Sequence, residues 1–234
     1  NPNLSINSFF CDFSVQDSIR ECADKIKNDL KAIDLLINNA GVVNTEYSET
    51  IDGIENTFAV NHLGYFLFTN LLLDLVKKES ESRIINVSSA AHHFVKGMQW
   101  DDINYKDDFK MGLKAYGQSK LGNILFTKQL AKKLQKDGVT VNAIHPGGVN
   151  TSLGNQNNSL LGRVLKIILK PFFRSPLKGA NTIIYLAEID GLSITGAYWV
   201  DGRVAKTSHY SKNEAEAEKL WRLSEKLVNQ EFDI

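Results

Sequence analysis

The chain has 234 residues, which suggests one large domain or two small ones and allows a full hydrophobic core. Its 27 basic and 27 acidic side chains cancel, so charge gives no reason to expect a nucleic-acid partner. The 43% hydrophobic content excludes a disordered chain, and Cys11 and Cys22 are too few for a disulfide scaffold. We find no secretory leader and no run of 18 apolar residues, and expect neither a signal peptide nor a membrane span.

Apolar runs alternate with helical patterns along the whole chain. The first half predicts a strand at 8–13, a helix at 14–30 capped by Ser14, a strand at 33–38, a helix at 52–78 and a strand at 83–88. After a loop at 89–112, the second half predicts a helix at 115–135, a strand at 139–145, a helix at 175–189 opened by Ser175 and Pro176, a strand at 197–200 and a helix at 214–230.

Strands that are apolar throughout and separated by helices indicate an α/β fold with a parallel sheet covered on both faces. We therefore predict a doubly wound, Rossmann-like sheet, and one domain over 1–234 because no linker divides the chain. Such sheets bind ligands beyond the carboxyl ends of their strands. Polar residues and glycines cluster at those predicted ends: Asp12, Asn38–Gly41, Ser88 with Ser89, and His145–Gly148.

A Tyr-x-x-x-Lys pair, Tyr116 and Lys120, falls on the predicted helix at 115–135. The spacing puts both side chains on one helix face, where an ammonium beside a phenol favours the phenolate and lowers the tyrosine pKa. That would make Tyr116 a usable acid and base near neutral pH. The motif alone is weak, because an exposed i, i+4 pair has the same spacing.

The string Asn38-Asn39-Ala40-Gly41 is more specific, although a strand-end turn also uses Asn and Gly. It is followed in order by Asn61 in Val-Asn-His-Leu-Gly, Ser89 in Asn-Val-Ser-Ser, the Tyr116 motif, and Pro146-Gly147 before Thr151. This order resembles the short-chain dehydrogenase/reductase family. The strings Asn-Val-Ser-Ser-Ala-Ala-His-His and Leu-Trp-Arg-Leu-Ser at 220–224 resemble its retinol dehydrogenase branch.

The resemblance covers essentially the whole chain and implies catalytic roles for four residues. Tyr116 would be the acid and base at the substrate oxygen, and Lys120 would lower its pKa and bind the nicotinamide ribose. Ser89 would hold the substrate oxygen, with Ser88 as the competing hydroxyl. Asn61 would hold a water that links Lys120 to solvent.

The same resemblance implies a dinucleotide-binding cleft. Asp12 would accept from the adenine amino group, and Asn38, Ala40 and Gly41 would line the adenosine side. Pro146, Gly147 and Thr151 would border the nicotinamide. The branch implies NADP, with NAD as the alternative cofactor.

The sequence departs from the family pattern at its start. The glycine-rich turn Thr-Gly-x-x-x-Gly-x-Gly and the first two strands are absent from it, which removes the N–H cradle for the pyrophosphate. We therefore expect an incomplete doubly wound fold and a fragment of a longer gene product. On that view the predicted strand at 8–13 has no neighbour.

His92, His93 and His145 are the candidate metal ligands, but no carboxylate or cysteine cluster gives zinc spacing, and we predict no metal. Leu160–Arg174 is a basic amphipathic segment. It predicts a lid on the sheet, or a lid that also makes peripheral membrane contact, which the resemblance places on the cytoplasmic side of the endoplasmic reticulum.

These features together predict an oxidoreductase that interconverts a lipophilic alcohol, such as retinol, and its aldehyde or ketone with a nicotinamide cofactor. A general carbonyl or steroid reductase of the same family is the alternative enzyme. A truncated, non-catalytic interaction domain is the alternative from another class. Retention of Ser89, Tyr116 and Lys120 favours an enzyme, and the missing glycine turn favours the interaction domain.

Overall fold

The computed structural model describes residues 5–79, 81–147 and 175–234 and contains one five-stranded sheet in those ranges. The strands are β1 Leu35–Asn38, β2 Arg83–Val87, β3 Thr140–His145, β4 Tyr198–Val200 and β5 Arg203–Val204. They lie in the order β1-β2-β3-β4-β5, with β1 to β4 parallel and β5 antiparallel to β4. The predicted α/β fold with a mainly parallel sheet is confirmed, and β5 was not predicted.

The helices follow the predicted pattern with small shifts at their ends. They are α1 Gln16–Asp29, α2 Asn56–Phe58, α3 Gly64–Val76, α4 Leu113–Lys133, α5 Pro176–Glu188 and α6 Glu214–Leu227. A π-helical segment, Ala59–Leu63, joins α2 to α3. Short 3₁₀ helices lie at Ala90–Phe94, Lys110–Gly112 and Tyr210–Lys212.

Alternate residues of the strands pack on opposite layers of helices, as the two-residue side-chain period of a strand requires. Ile84 and Val141 belong to the core shared with α3, α4 and α6. Ile85, the residue after Ile84, and Ile144, three residues after Val141, pack instead with Leu186 of α5. Helices therefore cover both faces of the sheet at β2 and β3.

The predicted strand at 8–13 is wrong: residues 5–12 have no regular secondary structure. A strand needs a ladder partner for its backbone groups, and this segment pairs with no strand in the described ranges. Its side chains still anchor it, because the Phe13 ring packs edge-on against Tyr65 at 6.3 Å and Phe68 at 5.5 Å. Gly64 leaves room for this ring, since a Cβ there would lie 3.0 Å from Phe13.

The predicted cap of α1 is also wrong. Val15, not Ser14, is the N-cap, and its side chain makes no capping hydrogen bond. The first free amide, from Gln16, instead donates to the carboxylate of Asp52 at 3.1 Å. The Ser14 hydroxyl donates to Asp12, which removes it from the helix terminus. By contrast, Ser175 caps α5 before Pro176 as predicted.

Among the described residues, one helical stretch, Asn56–Val76, is long and apolar enough to span a membrane. Inside the fold, 78% of its apolar window is buried. Burial of that extent is typical of the central helix of a folded core. Thr151 and the amphipathic segment Leu160–Arg174 lie outside the described residues.

Candidate active site

Tyr116 and Lys120 lie one turn apart on α4, where Lys120 reaches the end of β2 and the loop after β1. The Lys120 ammonium is 5.6 Å from the centre of the Tyr116 ring and 5.9 Å from that of Tyr65, a residue of α3. Lys120 is only 4% exposed. The helix therefore holds a buried cation between two aromatic rings, where the ring faces attract it.

Burial lowers the pKa of Lys120 to about 7. Its ammonium donates to the carbonyl of Val87 at 3.1 Å, and Asn123 donates to the same carbonyl at 3.1 Å. An ammonium has three N–H donors. In the described part of the chain, Val87 is the one hydrogen-bond acceptor of Lys120, so two donors are available to a ligand.

Ser89 follows β2 and lies beside Tyr116. The Ser89 side chain acts to lower the pKa of Tyr116, because it favours the phenolate. Burial has the larger, opposite effect, so the pKa of Tyr116 is raised above its ordinary value. The lowering of this pKa that is expected from the Lys120 ammonium stays a prediction, and burial works against it because burial penalises both charged groups.

Ser88, the competing hydroxyl, is bound to the backbone of α4. Its hydroxyl donates to the carbonyl of Lys120 at 2.7 Å, and its side chain is buried. Ser89 is partly exposed and accepts from the amide of Ala91 at 3.2 Å as the N-cap of the following 3₁₀ helix. The geometry thus groups Ser89, and not Ser88, with Tyr116.

Asn61 lies in the π-helical segment, a rare form that occurs frequently at functional sites. Its side chain accepts from the amide of Val42 at 2.8 Å and donates to the carbonyl of Val42 at 2.9 Å. It also donates to the Ser119 hydroxyl at 3.1 Å. Asn61 therefore braces the loop after β1 against α4, and the water relay predicted for it stays a prediction.

The loop after β1 presents Ala40 and Gly41 at the site. The carbonyl of Ala40 accepts from the Tyr65 hydroxyl at 2.7 Å. A Cβ added at Gly41 would lie 3.3 Å from Asn61 Oδ1 and 3.8 Å from Lys120 Nζ. Glycine at this position leaves open the space in which the amide and the ammonium converge.

Asn38 does not join this group, contrary to its predicted place on the adenosine side. Its side chain is 2% exposed and donates to Thr69 at 2.8 Å and Asn86 at 2.7 Å. Asn86 donates in turn to Thr127 of α4 at 3.0 Å. Because Asn38 shares the strand face of Leu36, it points into the helix layer and ties β1, β2 and α4 together.

The remaining predicted cofactor residues lie at strand ends or outside the described ranges. Pro146 and Gly147 directly follow β3, which runs beside the end of β2, with Gly147 at a φ of 83°. Asp12 is exposed, and its Oδ1 accepts from the amide and the hydroxyl of Ser14, which lowers its pKa. Thr151 is not among the described residues.

The residues that the structure describes contain no group of three or more His, Cys, Asp or Glu side chains arranged to hold a metal ion. The rings of His92 and His93 lie against each other, with their centres 3.9 Å apart and their planes tilted by 39°. His92 is engaged in hydrogen bonds on both ring nitrogens, with Ser89 and Ser208.

Comparison with known proteins assigns this arrangement to a family. The family described as enoyl-(acyl carrier protein) reductase matches residues 3–202. Retinol dehydrogenase 14 of Mus musculus is 41% identical over 216 residues, and retinol dehydrogenase 13 of Homo sapiens is 41% identical over 235. The chain belongs to the short-chain dehydrogenase/reductase family, in its retinol dehydrogenase-like branch.

These matches cover 90% and 98% of this chain. The chain spans 64% of the length of the mouse protein and 70% of the human one. Among solved structures, an uncharacterised protein from Mycobacterium paratuberculosis is 30% identical, with a TM-score of 0.73, over 96% of this chain and 76% of that one. The NADP complex of Pseudomonas aeruginosa RhlG is 25% identical, with a TM-score of 0.61, over 80% of this chain and 72% of that one.

Sequence reasoning missed three side chains that support this short-chain dehydrogenase/reductase site. Ser119 binds Asn61, Tyr65 binds the Ala40 carbonyl, and His92 binds the Ser89 carbonyl. Tyr65 lies four residues after Asn61 and Ser119 lies three residues after Tyr116, so helical spacing offered a signal for both. His92 lies inside the Asn-Val-Ser-Ser-Ala-Ala-His-His string but was weighed there as a metal ligand.

Gly117 allows α4 to approach the 3₁₀ helix that follows Ser89. A Cβ added at Gly117 would lie 2.8 Å from the carbonyl oxygen of Ala91, a contact that the backbone must shift to relieve. We expect Gly117→Ala to destabilise the protein by about 1–3 kcal/mol, the usual cost of overpacking, and to lower turnover by separating the Tyr116 and Ser89 hydroxyls. Denaturant unfolding and steady-state kinetics measure the two effects.

Gly53→Ala is the control, because nothing lies within 4 Å of a Cβ at that exposed turn. Because the φ of Gly53 is 74°, an alanine there destabilises the protein through backbone strain, but it leaves the candidate active site unchanged. If Gly117→Ala matched wild type in both stability and turnover, the close approach of α4 to Ala91 would not matter.

Proposed function

We propose that the protein is an NADP-dependent oxidoreductase that interconverts a lipophilic alcohol of the retinol class and its aldehyde or ketone, with NAD as the alternative cofactor. One observation carries the proposal. Ser89, Tyr116 and Lys120 converge at the carboxyl ends of the parallel strands, with the Lys120 ammonium 5.6 Å from the centre of the Tyr116 ring and 3.1 Å from the Val87 carbonyl at the end of β2. Ligands of doubly wound sheets bind at this edge.

The residues present fit the ribose end of a dinucleotide. Lys120 keeps two N–H donors for a ribose diol, and the missing side chain of Gly41 opens the space beside them. Asp12 is exposed at the end of the segment before α1, where its free carboxylate oxygen can accept from an adenine amino group. The nicotinamide, when bound, supplies or accepts the hydride.

The protein's own side chains transfer the proton. Tyr116 donates a proton to the carbonyl oxygen in reduction and removes one from the hydroxyl in oxidation. The Ser89 hydroxyl holds that oxygen beside the phenol. The buried Lys120 ammonium stabilises the phenolate whenever Tyr116 has lost its proton, and its effect is strong because little water screens it.

A lipophilic substrate is supported by the apolar surface beside the catalytic hydroxyls. Phe94 is 59% exposed and lies against the position of Gly117, one residue from Tyr116. The relatives that resemble the chain are named for retinol, a lipophilic alcohol. A general carbonyl or steroid reductase remains the alternative enzyme, and a non-catalytic interaction domain the alternative outside enzymes.

The proposed setting is the cytoplasmic face of the endoplasmic reticulum membrane. The support is the basic amphipathic pattern of Leu160–Arg174, whose lysines and arginines suit anionic lipid. No oligomeric state or nucleic-acid partner is proposed.

The test is cofactor binding and turnover in the native protein. We expect NADPH to bind more tightly than NADH, and all-trans-retinal to be reduced with a higher kcat/KM than a small water-soluble aldehyde. Binding of either dinucleotide without turnover of any alcohol or carbonyl compound would favour the interaction domain. Preference for the small aldehyde would favour the general carbonyl reductase.

The role of the ammonium predicts a shift in pH dependence. Lys120→Met removes the charge and keeps much of the aliphatic stem, so ionisation of Tyr116 becomes harder. We expect the limb of the pH–rate profile that reports Tyr116 to move to higher pH. An unchanged profile with a raised KM for the dinucleotide would leave Lys120 with ribose binding alone.

A further inference from the structure

The side chain of His92 connects the candidate catalytic serine to a distant part of the chain. Its Nδ1 lies 2.7 Å from the carbonyl oxygen of Ser89, and its Nε2 lies 3.2 Å from the backbone nitrogen of Ser208. The ring is fully buried and packs edge-on against Tyr198 of β4 at 5.1 Å.

These two contacts define the protonation state of the ring. A carbonyl oxygen only accepts, so Nδ1 carries the hydrogen and donates to Ser89. A backbone N–H only donates, so Nε2 carries no hydrogen and accepts from Ser208. His92 is therefore the neutral Nδ1–H tautomer, and burial agrees with this by lowering its pKa to about 4.

Ser89 is consequently held on two sides. The His92 side chain binds its carbonyl oxygen at 2.7 Å, in addition to the backbone amide of His92 at 3.2 Å, and the amide of Ala91 binds its hydroxyl at 3.2 Å. Holding the carbonyl fixes the orientation of the Ser89 backbone at the start of the 3₁₀ helix. The side chain projects from that backbone, so its orientation affects where the hydroxyl lies. Direction matters because the hydroxyl must meet Tyr116.

The far side of the ring is also held firmly. Ser208 is 9% exposed, and its carbonyl accepts from the buried Ser211 hydroxyl at 2.8 Å. This turn leads through the 3₁₀ helix Tyr210–Lys212 into α6. His92 is thus attached to a turn that does not depend on the loop it positions.

We propose that His92 is a positioning residue that aims the Ser89 hydroxyl at Tyr116, with Ser208 as its anchor. This rests on the proposed function, because it needs Ser89 to act on the substrate oxygen. A displacement of a reacting group by about 1 Å can cost about 100-fold in rate, so a single bond at the carbonyl of Ser89 can matter to turnover.

Two amide substitutions distinguish the two hydrogen bonds of the imidazole ring, because each can keep one of them. His92→Asn places an amide nitrogen near Nδ1, which keeps the donor to Ser89 and loses the acceptor for Ser208. His92→Gln places its amide near Nε2, which keeps a partner for Ser208 and loses the donor to Ser89. We expect His92→Gln to lower kcat by about tenfold or more, with the KM for NADPH within about twofold, and His92→Asn to retain most of kcat.

The control is His93→Gln, which changes the exposed neighbouring ring and is expected to have wild-type kinetics. A second measurement repeats His92→Gln in a Ser89→Ala background. If His92 acts through Ser89, the two losses do not add, and His92→Gln causes no further fall there.

Three outcomes would overturn the inference: full kcat in His92→Gln, equal losses in the two His92 variants, or additive losses with Ser89→Ala. A failure of the proposed function looks different. In that case Ser89→Ala and Tyr116→Phe themselves leave turnover unchanged, or the wild-type protein has none.

Discussion

Tyr116→Phe is expected to lower kcat by at least about 100-fold, the usual scale of a lost general acid and base. The substitution removes one oxygen and keeps the ring that packs near Lys120 and α4. Since that oxygen is the group that exchanges a proton with the substrate, its loss affects the chemical step. The KM for the dinucleotide should change little, because the ring and Lys120 both remain. Steady-state kinetics with retinal and NADPH measure both constants.

Tyr105→Phe is the matched control for this experiment. Tyr105 is 2% exposed and packs with Phe109 and Ala115, so its loss also removes a phenol from a buried site near the start of α4. It should retain turnover close to wild type. A Tyr116→Phe protein that folds with a wild-type unfolding midpoint and keeps most of its kcat would refute the catalytic assignment of Tyr116.

The catalytic helix could be predicted from the sequence because local and tertiary signals agreed there. The Tyr-x-x-x-Lys spacing requires a helix to bring both side chains to one face, and α4 supplies it. The parallel strands were readable for the same reason, since their apolar runs are buried on both faces. The direction and hydrogen-bond partners of a side chain at the end of a strand could not be predicted from these patterns.

Asn38 and Ser89 illustrate that limit. Asn38 belongs to the most specific string in the sequence, yet its side chain turns into the helix layer to bind Thr69 and Asn86. Strand alternation decides this, and the register of a four-residue strand follows from its pairing with β2. Ser88 and Ser89 were separable only in part from sequence, and the bond from Ser88 to the Lys120 carbonyl distinguishes them.

The pKa of Tyr116 shows a different limit. Spacing placed an ammonium near the phenol but said nothing about how deeply either would be buried. Lys120 is 4% exposed, and burial shifts both pKa values toward the uncharged forms. The depth of burial comes from how α3, α4 and the loop after β1 close around the site, which is tertiary information.

His62 is the strongest candidate for acid sensitivity of the fold. It follows Asn61 in the π-helical segment and is fully buried. Its ring packs against the rings of Phe58 and Phe126. Its Nε2 lies 3.0 Å from the Ser224 hydroxyl of α6, in the Leu-Trp-Arg-Leu-Ser string. Burial lowers its pKa to about 3.

A lowered histidine pKa makes stability depend on pH in a definite direction. Below pH 6.5 the unfolded chain binds a proton at His62 that the folded protein does not bind until about pH 3. The free energy of unfolding therefore falls as the pH falls through this range, by up to about 1.4 kcal/mol per pH unit from this group. His92 acts in the same direction, with its lowered pKa of about 4.

Denaturant unfolding at pH 7 and pH 5 measures this loss, and variants assign it to His62. His62→Gln cannot take up the proton, so we expect it to be less stable than wild type at pH 7 but to lose distinctly less stability on going to pH 5. The control His209→Gln removes an exposed histidine without altering the core. Glu55, whose pKa burial raises, opposes the effect equally in all three proteins, so their differences isolate the histidine. If wild type and His62→Gln lost the same stability between pH 7 and pH 5, the buried imidazole would not be the source of acid sensitivity.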